Sequence, residues 1–272
     1  RTQRTVPCVL SRRLKVRESP MPVPPEWSLE GKAAIITGDH RGWTRYLASA
    51  LAEAGADVAV AGPRGSDISD AAGSVREQGK RALVIEADLT SAGGVRDMVQ
   101  EVVSELGKVD VLVNNARVEF GKPFVDVTEA EWDAVMDFNV KSKFLCCRAV
   151  GRHMLGRGGG RIVNIGSGLA ERGLPNSAVA CASQGAVRQL TAALGLEWAR
   201  NNVRVNAIGA GWLTTEPPLE AAQGELLVRY IPSRRKGHPT DLCGLLVYLA
   251  SDACDFVTGQ MLYVDGGAMA HA

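Results

Sequence analysis

Residues 33–62 read AAIITGDHRGWTRYLASALAEAGADVAVAG, and this stretch decides the fold. Ala33–Thr37 is short and almost continuously apolar, the pattern of a strand buried on both faces. Thr44–Ala54 follows with apolar residues at helical spacing, and Asp57–Ala61 returns to the strand pattern. Gly38 and Gly42 lie in the turn between the first strand and the helix. Glycines there let the backbone turn tightly and approach a phosphate held at the helix N-terminus. Thr37, Gly38, Arg41, Gly42 and Trp43 are therefore candidate ligand contacts. The same spacing also suits a tight turn that holds nothing, and two side chains favour that alternative. Thr44 stands where a third glycine is expected, and Trp43 adds bulk.

Outward from this unit the alternation continues. Strand-like runs occupy Ala82–Glu86, Val109–Val113, Arg161–Ile165, Val203–Ile208 and Met261–Val264. Helical patterns cover Gly94–Leu106, Glu129–Met154, Ser177–Arg200 and Thr240–Ala250. Strand–helix alternation predicts an α/β chain: a Rossmann-like, doubly wound parallel sheet of about seven strands with helices on both faces. Ligands of such sheets bind at the carboxyl ends of the strands. The length of 272 residues suits one domain, expected over 26–272. Residues 1–25 read as an N-terminal extension, disordered or foreign to the domain. Their first twenty positions hold Arg1, Arg4, Arg12, Arg13, Lys15 and Arg17 against Glu18 alone.

A net charge of +1 argues against nucleic acid or an anionic membrane as partner. No apolar run approaches the ~18 residues a spanning helix requires. The six cysteines show neither a pairing pattern nor metal-ligand spacing, so no metal is expected. Free thiols point to a reducing compartment, and the expected location is cytoplasmic.

Several motifs in order resemble the short-chain dehydrogenase/reductase family in its single-domain form, over about residues 26–272. Thr37-Gly38-x3-Gly42 is similar to its cofactor loop. Asn114-Asn115-Ala116 follows the fourth strand as in the family, with Arg117 in place of a glycine. Asp88 follows the third strand, and Asn139 lies in a central helix. Residues 161–167 lead into Ser167, and the segments 203–208 and 257–267 match the last two strands. The resemblance implies cofactor contacts from Asp88, Asn114, Ala116, Gly211 and Thr215. It also implies a small hydroxyl or carbonyl substrate and assembly into dimers or tetramers through the two longest helices. The second strand runs into Gly62-Pro63-Arg64 with no acid. An acid there would bind a ribose 2′-hydroxyl, whereas Arg64 and Arg41 suit a 2′-phosphate. NADP is therefore favoured over NAD.

The family's reaction uses a Tyr as proton donor, a Lys four residues later and a Ser thirteen residues before the Tyr. Here that frame reads Ala180-Cys181-Ala182-Ser183-Gln184, with Ser167 at the expected spacing. Ala180 has no proton to give. Gln184 can hydrogen-bond a ribose but carries no charge. Ser167 and Asn139 are the remnants. Loss of general acid–base catalysis costs about 10²–10⁴ in rate. The chain is accordingly expected to be a non-catalytic or cofactor-binding subunit of a homo- or hetero-oligomer with a relative, its own cofactor binding weakened. The alternative is an active NAD(P)-dependent alcohol dehydrogenase or ketoreductase with a displaced proton donor. Tyr230 is the candidate, since Tyr46, Tyr248 and Tyr263 suit packing roles.

Overall fold

The computed structural model describes residues 24–38, 42–216 and 226–270. The extension predicted over 1–25 lies almost wholly outside them, as do His40 and Arg41. Seven strands form one parallel sheet in the order β3-β2-β1-β4-β5-β6-β7. They are β1 (Ala33–Thr37), β2 (Asp57–Gly62), β3 (Ala82–Glu86), β4 (Val111–Asn114), β5 (Gly160–Ser167), β6 (Val203–Ala210) and β7 (Met261–Val264). The helices are α1 (Thr44–Glu53), α2 (Ile68–Glu77), α3 (Ala92–Leu106), α4 (Glu129–Met136), α5 (Ser142–Arg157), α6 (Ala178–Trp198), α7 (Leu226–Tyr230) and α8 (Cys243–Ala250).

Side-chain alternation along buried strands explains the two layers. Ala34 and Ile36 of β1 face one core with Leu47 and Leu51 of α1, Val75 of α2 and Leu246 of α8. Ile35, between them, faces the other core with Met98 of α3, Leu145 and Val150 of α5 and Trp198 of α6. Fully burying each such aliphatic side chain contributes roughly 1.5–3 kcal/mol. A one-residue slip of β1 would exchange its two faces.

Two features differ from the sequence expectation. Helix α2 went unrecognised because Gly73 and its polar neighbours dilute the apolar spacing. Its inward face is only Ile68, Ala71, Ala72 and Val75. The single helix expected over Glu129–Met154 is instead α4 and α5 joined by one π turn, Asp137–Lys141. Thr128 starts α4 with a reciprocal capping box to Glu131. The π turn inserts a residue into the helical spacing. That extra residue sets the rotation at which Asn139 meets the end of β4.

The strand order reverses between β1 and β4. At such a switch point the loops leaving neighbouring strands diverge and open a crevice beyond the carboxyl ends.

Candidate active site

A cavity of about 780 Å³ opens at this edge of the sheet. Ser167, Asn139, Ala180 and Gln184 line its floor, with Trp43 and Arg117 on the α1 side. Arg172, Trp212 and Tyr230 line the opposite side. Residues from β5, α6, the π turn and the loop after β4 thus meet in one space.

Each floor residue is held from behind. Asn139 is buried and clamps the main chain of Val118. Its Oδ1 accepts from Val118 N at 2.8 Å, and its Nδ2 donates to Val118 O at 3.0 Å and to Ser183 Oγ at 3.2 Å. Ser167 ends β5 and its Oγ accepts from Leu169 N at 3.3 Å. Gln184 is almost fully buried, yet its Oε1 has no hydrogen-bond partner. A buried amide oxygen in that state costs about 1–3 kcal/mol unless a ligand donor reaches it. That is the clearest local sign that a hydroxyl-bearing ligand belongs here.

Gly42 has φ +71, a left-handed conformation that glycine adopts without strain. Trp43 is the N-cap of α1 and its side chain makes no cap hydrogen bond; a helix N-terminus favours an anion. Thr44, in place of the third glycine, is fully buried and networked. Its Oγ1 donates to Asp67 Oδ1 at 2.9 Å and accepts from Asn115 Nδ2 at 3.2 Å. Asp67 is a residue that the sequence reading missed. No acid ends β2, but α2 returns one to the loop, where its Oδ1 would stand 3.1 Å from a Cβ placed on Gly38. The only advance signal was an Asp just before an apolar helical face.

Other expected contacts fall at differing depths. Thr37 Oγ1 accepts from both Asn115 N and Ala116 N at 3.0 Å, which ties β1 to the loop after β4. The Asn114 side chain turns into the sheet, donating to Asn164 Oδ1 at 2.8 Å, so only its main chain faces the crevice edge. Asp88 accepts from Thr90 N at 2.9 Å and Thr90 Oγ1 at 2.7 Å, and these bonds hold its carboxyl below the usual range. Gly211 lines the cavity, whereas Thr215 and Arg64 are exposed and do not. Arg41 lies outside the described residues. The described residues contain no cluster of His, Cys, Asp and Glu able to hold a metal.

The four tyrosines separate clearly. Tyr46 packs edge-on against His238, and Tyr248 packs against Trp27. Tyr263 sits beside Glu171, with burial first and that carboxylate second pushing its hydroxyl up to about 12. Tyr230 alone of the four lines the cavity. The Arg172 guanidinium bonds its hydroxyl and also donates to Ala268 O at 2.7 Å. The Trp212 ring meets the Tyr230 ring edge-on at 5.7 Å.

A family model described as enoyl-(acyl carrier protein) reductase matches residues 38–269. The chain belongs to the short-chain dehydrogenase/reductase family. Among the similar members is 2-dehydro-3-deoxy-D-gluconate 5-dehydrogenase of Escherichia coli K12, 37% identical over 90% of this chain and 98% of that protein. Gluconate 5-dehydrogenase of Gluconobacter oxydans is 35% identical over 90% of this chain and 97% of its own. A gluconate 5-dehydrogenase from Burkholderia cenocepacia, solved in complex with NADP and tartrate, superposes with a TM-score of 0.82. It is 34% identical over 91% of this chain and 98% of that one.

These relatives correct two expectations. The non-catalytic subunit inferred from Ala180 and Gln184 is overturned, because the near-full-length relatives are named for dehydrogenase activities. The inference gave the missing Tyr and Lys more weight than its own alternative, an active dehydrogenase with a displaced donor, and the relatives favour that alternative. The expectation of weakened cofactor binding falls with it. The Burkholderia member of the family was solved with NADP, and here Gly42 keeps its left-handed conformation.

Proposed function

We propose that this protein is an NADP-dependent oxidoreductase that interconverts a secondary hydroxyl and a ketone on a small polyhydroxy carboxylate, with Tyr230 as its proton donor and acceptor. The observation that carries the reading is the Tyr230 hydroxyl, bonded by Arg172, in the same cavity as Ser167, Asn139 and Gln184. The relatives' names support the substrate class, and so does Arg172 in the cavity wall. NADP is supported by the Burkholderia complex and by Arg64 beyond β2. Asp67 is engaged by Thr44 and sits behind Gly38.

The residues present fit a dinucleotide. The α1 amides and Gly42 would hold its phosphates, and Gln184 Oε1 would accept from a ribose hydroxyl. A nicotinamide cofactor bound there supplies or takes up the hydride. The chain's own part is the proton and the oxygen. Ser167 Oγ donates to the substrate oxygen and polarises it. In reduction, Tyr230 gives its proton to that oxygen as negative charge develops, and the resulting phenolate is stabilised by Arg172. In oxidation the phenolate takes the hydroxyl proton. Asn139 holds the strand end in register and so fixes one wall. Trp212 and Leu213 exclude water above it.

We further infer a homo-oligomer in a reducing, cytoplasmic setting. Exposed Phe144 and Leu196 on α5 and α6 and the unpaired Cys146, Cys147, Cys181, Cys243 and Cys254 support this. No helix among the described residues is long and apolar enough to cross a membrane. The test of the catalytic reading is turnover of 5-ketogluconate with NADPH by wild type and Tyr230→Phe. Undiminished turnover by the Phe variant would sink it.

A further inference from the structure

Arg117 is the most deeply placed charge on the α1 side of the cavity, 8% exposed. Its guanidinium lies 5.5 Å from the centroid of the Trp43 ring. It donates to Gly166 O at 3.5 Å and to Glu119 at 2.9 Å, and that carboxylate is itself largely in solvent. The planar fork of five N–H donors suits bidentate contact with an oxyanion. Taking such a cation out of water is costly unless hydrogen bonds restore what hydration supplied.

The main chain around Arg117 is fixed on every side. Thr37 binds the amides of Asn115 and Ala116, and Asn139 clamps Val118. The buried Lys143 donates to Ala116 O at 2.7 Å. This arrangement preorganises the guanidinium without any ligand present. Two independent features of the same wall point to what it meets. Trp43, on which it stacks, is the N-cap of α1, and its side chain makes no cap hydrogen bond. Gln184 Oε1, buried and unpartnered, is also next to Gly166, 3.3 Å from where a Cβ on that glycine would stand. A cation, a helix N-terminus and a vacant acceptor thus converge on one short path. A ligand that fills all three carries phosphate and, a few atoms away, a hydroxyl.

We propose that Arg117 binds the phosphate bridge of the dinucleotide from the side facing α1, so that the cation serving the cofactor comes from the end of β4 and not from α6. The inference rests on the dinucleotide reading above. A substrate carboxylate shares the same chemistry, but Arg117 stacks on Trp43 at the start of α1, whereas Arg172 bonds Tyr230.

The experiment is an NADPH titration without substrate, read by cofactor fluorescence, on wild type, Arg117→Met and Arg117→Lys. Tenfold or greater weakening is expected for Met. A smaller loss is expected for Lys, which keeps the charge but not the fork. Inorganic pyrophosphate should compete with NADPH in wild type and compete poorly in Arg117→Met. Arg117→Lys serves as the readout if the Met protein does not fold, and unchanged affinity in Lys together with unaltered pyrophosphate competition counts against the proposal. Equal or tighter NADPH binding by Arg117→Met overturns it, since the side chain would then obstruct the path. A loss confined to the KM of the keto acid also overturns it and assigns Arg117 to the substrate. Wild type that binds no NADPH overturns the dinucleotide reading itself.

Discussion

The inner face of α6 and the segments that cover it contribute to the cavity in opposite ways. Helix α6 is a rigid 21-residue element packed on the sheet, and at the cavity it presents Ala180 and Gln184, neither of which titrates. Arg172 follows the turn after β5, and Tyr230 ends the five-residue helix α7. Sites on long helices hold geometry better than sites near loops. The donor proposed at Tyr230 therefore needs local bracing. Trp212 packs on the Tyr230 ring, and Ala268 O takes a hydrogen bond from Arg172. The lesson is that an empty position in a familiar frame describes one element, whereas proton transfer is a property of the whole cavity.

This comparison can be broken most decisively at the hydroxyl. Tyr230→Phe should lower kcat by about 10²–10⁴ while leaving NADPH affinity within about twofold, as read by steady-state kinetics beside a fluorescence titration. Restoring the helix sharpens the contrast. Ala180→Tyr with Gln184→Lys, placed in the Tyr230→Phe protein, should return at least about tenfold in kcat. No recovery would mean that α6 no longer stands at a productive angle. Arg172→Met, which removes the hydrogen bond to the Tyr230 hydroxyl, should reduce kcat by about tenfold, with NADPH affinity unchanged.

Smaller effects test the supports. Asn139→Ala removes both bonds to Val118 and the bond to Ser183. It should cost about 1–3 kcal/mol in urea unfolding. The smallest effect is at His153, far from the cavity. Its Nε2 accepts from Val109 N at 3.2 Å, and burial foremost depresses its pKa below the ordinary 6.5. The neutral ring is the folded form, so stability is complete above about pH 6.5. It declines as the unfolded chain takes up the proton below that pH. His153→Gln should flatten the fall in melting temperature between about pH 6.5 and 5.

How much was legible follows from what kind of information each feature needs. All seven strands were visible as short apolar runs, with β4 displaced by two residues at its start and β5 longer at its end. Burial on both faces leaves a contiguous signature that needs no partner to be read. Ser167, Asn139, Ala180 and Gln184 were placed together by the family resemblance, and all four line the cavity. The inference from them to a non-catalytic role went astray because it ranked the displaced donor, Tyr230, second. Asp67 was missed for a related reason. The pattern of β2 gave no acid, and only the packing of α2 beside α1 returns one to the loop.

The sequence by itself therefore determined the layered α/β fold, the order of its elements and the loss of a proton donor from α6, because each is written in local periodicity or fixed spacing. Only the tertiary structure decided which distant side chains meet in the cavity. Tyr230 meets Arg172 across 58 residues of chain, and Arg117 meets Trp43 across the β1–β4 switch point. Such encounters depend on how loops close over a packed sheet, and no periodicity in the chain encodes them.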